Sequence, residues 1–151
     1  MLLFALTVAS AQAALPEPWA QFSRSGSLNH TTETVGIFTG ERTDGEFHYR
    51  LRLTTKMLGQ EPETKWADSQ TCPEVRSVIT SMRDIEMPSP APYGVGQPRS
   101  ITLDGIQYEL TAPSSFNMGK LTLSSNVGSP LASWIDAGFA QLAPCWKTAA
   151  S

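Results

Sequence analysis

The chain has 151 residues, with 11 Lys and Arg against 14 Asp and Glu and a formal net charge of −3. That length suffices for one domain with a proper core and is too short for two comfortable ones. The mild acidity excludes the basic stripe that releases counterions from nucleic acid, and equally a polybasic patch for anionic membranes.

At the start, Met1 is followed by an apolar run from Leu2 to Ala9, then Ser10 and the small-x-small triplet Ala11, Gln12, Ala13. This is the order of a secretory leader, residues 1–13, cut after Ala13 to leave residues 14–151 as a single domain in the periplasm or outside the cell. The run falls short of the roughly 20 residues that a membrane-spanning helix requires, so no stable anchor is expected after cleavage. No Lys or Arg precedes it, which departs from the usual leader, and a buried N-terminal strand or helix is the competing reading. Leu15 to Asn29, with Pro16, Pro18 and several Ser and Gly, suits an extended lead-in whose Trp19 and Phe22 tuck against the core.

From Thr34 the pattern becomes strand-like. Phe47, Tyr49, Leu51 and Leu53 alternate with His48, Arg50 and Arg52, a strict period of two with one buried and one wet face. Asp44-Gly45 marks the turn. A two-residue loop would put Val35 and Ile37 on the charged face. A three-residue loop of Thr43, Asp44 and Gly45 pairs Val35 with Leu53, Ile37 with Leu51 and Arg42 with Glu46, and is preferred because a slip of one residue turns an apolar set outward. It leaves Phe38 beside Arg50 on the wet side.

Lys56 to Asp68 is polar, contains Pro62 and reads as a connecting loop. A helix follows, with Cys72 at the cap, Pro73 at the first helical position, Glu74 on the positive end of the dipole, and a stripe of Val75, Val78, Ile79 and Met82. It stops before Met87-Pro88-Ser89-Pro90-Ala91-Pro92, because proline lacks the amide proton a helix needs. Beyond the Pro- and Gly-rich stretch to Pro98, Ile101 and Leu103 precede Asp104-Gly105, and Ile106, Tyr108 and Leu110 follow, a second hairpin pattern. Lys120 to Ser125, with Leu121 and Leu123 alternating, is a fifth strand. Ser129-Pro130 caps and starts a second helix with Leu131, Trp134, Ile135 and Leu142 on its apolar stripe, ending before Pro144. The expected architecture is α+β: about five antiparallel strands, from two Asp-Gly hairpins plus one strand, with two helices packed on one face.

The two cysteines, Cys72 and Cys145, are distant in sequence and even in number, which in an oxidising compartment reads as one disulfide. The alternative is a reactive thiolate at Cys72, stabilised by the helix N-terminus.

Candidate chemistry is sparse. The histidines are His30 and His48, with no His-x-x-x-His or paired Cys motif, so neither a metal centre nor another cofactor is expected. No Gly-x-Ser-x-Gly elbow occurs, and a catalytic triad would need His48 with a distant acid. The leading ligand candidate is the stripe His48, Arg50 and Arg52, with Phe38 across from Arg50: alternate side chains point the same way and could hold an anionic ligand or a partner's carboxylate. The second candidate is the Pro-rich stretch, with Pro88, Pro90, Pro92 and Tyr93, since proline pre-orders an exposed segment for a protein partner. These features point to a non-catalytic exported binding or accessory protein for a protein or small anionic ligand. The alternatives are a small secreted hydrolase on His48 and a structural subunit of an envelope complex.

Overall fold

The computed structural model describes residues 16–28, 30–89, 105–114 and 119–148. In chain order the elements are β1 (Ala20–Gly26), β2 (Thr31–Thr43), β3 (Glu46–Lys56), β4 (Glu63–Asp68), α1 (Glu74–Ser81), β5 (Ile106–Pro113), β6 (Lys120–Asn126) and α2 (Pro130–Leu142). The strands form one sheet in the order β4-β3-β2-β1-β5-β6, and every neighbouring pair runs antiparallel. The fold is therefore α+β.

Six strands are present among the described residues where five were expected, and the difference lies in which segments pair. The lead-in Ala20–Gly26 is an interior strand between β2 and β5. Its alternation is short, with Ala20 and Phe22 buried and Arg24 next in line, so pairing on both edges decides its conformation rather than local pattern. Glu63–Asp68, expected as loop, pairs with β3 from Arg50↔Asp68 to Thr55↔Glu63. The arm expected before Asp104-Gly105, Ile101 to Leu103, lies outside the described residues, as does the leader 1–13. Both edges of β5 are taken, by β1 and β6.

The β2–β3 pair settles its register in two parts. Val35 faces Leu53 and Ile37 faces Leu51, but nearer the turn Arg42 faces Phe47 and Thr43 faces Glu46. The expected Arg42–Glu46 pairing is thus replaced. Between the two registers Gly40 and Glu41 oppose the single residue His48, a β-bulge that absorbs one residue. The turn itself can then be the tight two-residue loop, with Asp44 and Gly45 both at positive φ (53° and 85°) as a type I′ turn requires. Without the bulge this turn would put Val35 and Ile37 on the wrong face.

Among the described residues the helices cover one face. Phe22, Val35, Ile37 and Leu51 are fully buried beneath Val75 and Val78 of α1 and Ile135 and Leu142 of α2. Phe22 is the centre of this layer, with Trp134 and Phe139 edge-on at 5.2 and 5.6 Å. Ser129 caps α2 by accepting the Ala132 amide at 3.0 Å, and Pro130 occupies the first turn. Trp134 Nε1 donates to Ser81 Oγ at 2.9 Å, tying α2 to the end of α1. No helix among the described residues is long and apolar enough to cross a membrane.

Cys72 and Cys145 are joined in a disulfide, with Cα atoms 5.8 Å apart and 73 residues between them in sequence. The bridge fastens the start of α1 to the turn following α2. Just beyond it, Trp66 and Lys147 exchange backbone hydrogen bonds at 2.7 and 2.8 Å, so the chain after Cys145 lies against the outer edge of β4. Replacing both cysteines by alanine is expected to lower unfolding stability by roughly 4 kcal/mol, the chain-entropy value for a loop of this order. Urea titration of the parent and double variant measures it; an unchanged midpoint would show that the bridge restrains nothing.

Candidate functional site

Because side chains alternate along each strand, the face opposite the helices is set by the same registers that build the core. On it, Phe38 of β2 lies opposite Arg50 of β3, and Gly36 opposite Arg52. On the next strand over, Arg50 faces Asp68 and Arg52 faces Trp66. Phe38, Arg50 and Arg52 are thus brought together as expected from the sequence, and Trp66 joins them. Trp66 escaped sequence reasoning because its segment looked like a loop. Its signal was present, a tryptophan beside Ala67, one residue for each face.

The four side chains interlock. The Phe38 and Trp66 rings are tilted at 41° with centroids 6.3 Å apart. The Arg52 guanidinium lies 5.1 Å from the Phe38 centroid and 6.0 Å from that of Trp66, while Arg50 is 5.8 Å from Trp66. Such contacts contribute about 0.5–1 kcal/mol each at exposed sites. A Cβ on Gly36 would meet Pro18 Cβ at 3.3 Å and the Phe38 ring at 3.4 Å, so glycine here makes room for ring and proline to close over the strand. This explains an aromatic residue on a wet face: Phe38 packs with Pro18 and Trp66 in a small satellite cluster, roofed by arginine stems.

The two arginines differ in their partners. Arg50 has the Asp68 carboxylate at 4.0 Å. Arg52 has no carboxylate partner among the described residues; its guanidinium meets rings alone. Contact with the rings restrains the planar fork, whose N–H groups suit two parallel bonds to an oxyanion.

His48 shares the face but is differently situated. It sits against the bulge, with Gly40 packed beside its Cβ position, and both ring nitrogens are shielded from solvent without a hydrogen-bond partner. An unpaired buried polar group costs roughly 1–3 kcal/mol. His48→Leu is accordingly expected to unfold at an equal or higher urea midpoint than the parent; a loss of more than about 1 kcal/mol would mean the imidazole is satisfied after all.

A second polar cluster lies at one end of the helix face. Arg24 Nε donates to Glu33 at 2.7 Å and its Nη1 to Asp136 at 2.9 Å, while the Tyr108 hydroxyl donates to the other Asp136 oxygen at 2.8 Å. The guanidinium also lies 4.3 Å above the Phe139 ring. Arg24, Glu33 and Asp136 border a cleft of about 380 Å³ with Leu53, Phe139 and Trp146. Burial opposes the charge on Arg24, but the hydrogen bonds from Glu33 and Asp136 outweigh it and raise its pKa. Burial, reinforced by the bond to Asp136, pushes the Tyr108 hydroxyl up. Each member uses its charge on another, so the cluster clamps β1, β2 and β5 to α2. Since folded Tyr108 holds its proton more tightly than the unfolded chain does, its contribution is complete below tyrosine's ordinary value of 10.0 and is lost as pH rises through the higher folded value. Tyr108→Phe should therefore flatten the fall of the urea midpoint as pH rises above tyrosine's ordinary value of 10.0. An equal fall in parent and variant would remove Tyr108 from the cause.

The remaining candidates are quickly placed. Cys72, Glu74 and Cys145 bring three ligand-type atoms within 4.8 Å of one another, but bonded sulfurs offer no thiolate, leaving one carboxylate where a metal site needs several ligands. Pro88 borders a cleft of about 260 Å³ with Met87, Leu123, Ser129 and Leu131; Pro90, Pro92 and Tyr93 lie outside the described residues.

No protein-family model, curated protein or solved structure matches this chain.

Proposed function

We propose that the protein is a non-catalytic exported binding protein that holds an oxyanion-bearing ligand or partner on the open sheet face, at the corner formed by Phe38, Arg50, Arg52 and Trp66. The observation that carries this reading is Arg52: a half-buried residue whose guanidinium lies 5.1 and 6.0 Å from two ring centroids, with no carboxylate partner among the described residues. A cation placed only for solubility would stand free in water. One held against aromatic surface has given up conformational freedom, which lowers the cost of receiving a ligand. The leader-like N-terminus and the Cys72–Cys145 disulfide support export. His48 flanks the corner as part of the same stripe. The hydrolase alternative would need an acid to orient that imidazole, and its nitrogens meet no partner among the described residues.

The test is an NMR titration of the parent and Arg52→Gln with acetate, sulfate and phosphate at constant ionic strength. Shifts are expected to concentrate on Phe38, Arg50, Arg52 and Trp66, and Arg52→Gln should weaken binding at least about tenfold, as charge-assisted hydrogen bonds are worth roughly 1.5–3 kcal/mol. Shifts spread evenly over all surface cations, or unchanged in the variant, would reject the site.

A further inference from the structure

Beyond the arginine corner, the open face is notable for what it lacks. The registers align Ser124, Glu109, Ser23, Thr34, Thr54 and Thr64 in one row across all six strands. The row beside it ends at the corner itself: Thr122, Thr111 and Gln21 lead through Gly36 to Arg52 and Trp66. On the far side, Asn126, Gln107, Ser25 and Thr32 lead to Lys56. Within these three rows the charged groups are Glu109, Arg52 and Lys56. A wet sheet face ordinarily carries many charges, which keep it soluble and unpaired.

Hydroxyls and amides therefore stand in a grid, about 4.8 Å apart across strands and roughly 7 Å along them. Two cross-strand pairs, Ser25–Thr32 at 3.0 Å and Thr111–Thr122 at 3.3 Å, bond to each other. Every hydroxyl has one proton and two lone pairs, so each pair keeps capacity for an outside group. Ser23, Thr34 and Thr54 have no hydrogen-bond partner from their side chains among the described residues, and all three remain partly exposed. Such a surface suits a protein partner poorly, because interface energy comes from large aromatic and arginine anchors while Ser and Thr contribute little. It suits a ligand that is itself covered with hydroxyls, each able to donate and accept at modest individual strength.

Resting on the binding role proposed above for the same face, we infer that the ligand is an acidic polysaccharide. The hydroxyl and amide rows meet the sugar hydroxyls, and Arg52, held against the Phe38 and Trp66 rings, receives a sugar carboxylate. Charge complementarity selects the acidic class: the three rows carry Arg52 and Lys56 against the single carboxylate Glu109, and neither cation has an ion-pair partner among the described residues.

The experiment is affinity electrophoresis of the exported chain in native gels containing polygalacturonate, neutral dextran or dextran sulfate, with sedimentation on phosphatidylglycerol vesicles alongside. The variants are Arg52→Gln and the double change Thr34→Val, Thr54→Val, which keeps β-branched shape, with thermal unfolding as the control for folding. Polygalacturonate should retard the parent, and the valine pair should weaken retardation at least about tenfold, the loss of two modest hydrogen bonds, while leaving acetate binding at Arg52 intact by NMR. Retardation unchanged by the valine pair would overturn the inference. So would retardation as strong with dextran, or equal binding to dextran sulfate or the vesicles. If acetate still titrates the corner but polygalacturonate does nothing, the polysaccharide fails and the oxyanion site stands; if neither binds, both fall.

Discussion

A six-stranded sheet has two faces, and this chain has apolar side chains and helices for one. The rest of the structure answers that constraint. The helices α1 and α2 are short, 8 and 13 residues, and neither could persist alone in water, where isolated helices shorter than about 12–15 residues are marginal. They are held by what they cover and by fastenings at their ends: the Phe22 cluster beneath, the Trp134–Ser81 bond between them, the Arg24–Asp136–Tyr108 clamp and the Cys72–Cys145 bridge. The bridge lies within the apolar layer itself, and the Arg24–Asp136–Tyr108 clamp lies at its polar border.

The same constraint makes the bulge at Gly40-Glu41 necessary. A tight turn at Asp44-Gly45 and a core-facing Val35 and Ile37 demand registers that differ by one residue, and one extra residue in β2 reconciles them. His48 stands opposite the irregularity with both nitrogens unsatisfied. Local disorder in the ladder is thereby traded against the alternative, which would turn a whole apolar set toward water.

Much of the architecture could be read from residue order, for reasons that also explain what could not. Tyr49, Leu51 and Leu53 alternate cleanly because their strand has one dry and one wet face, and Ser129-Pro130 announces α2 because capping is local chemistry. By contrast β1 owes its place to partners on both edges, β2 next to it in the chain and β5 about eighty residues away, and a short window shows neither pairing. Trp66 and Ala67 of β4 break the period of two because the second face at that corner is itself packed, against Phe38 and the arginine stems. The arginine stripe was legible, since it follows from alternation alone. The tryptophan beneath its arginine stems showed only as a residue beside Ala67, and the Arg24–Glu33–Asp136 cluster, joined across 112 residues, depends on tertiary placement and leaves no mark in any short window.

The short backbone pairing of Lys147 with Trp66 has a consequence for crowding. Unpaired strand borders recruit other chains, which is how sheet proteins run into fibrils. Here one border is obstructed by residues whose position the neighbouring Cys145 bridge secures, while the border at β6 has no described strand beside it. The bridge that closes the helices over their layer thus also keeps one backbone-bonding position on the β4 border occupied.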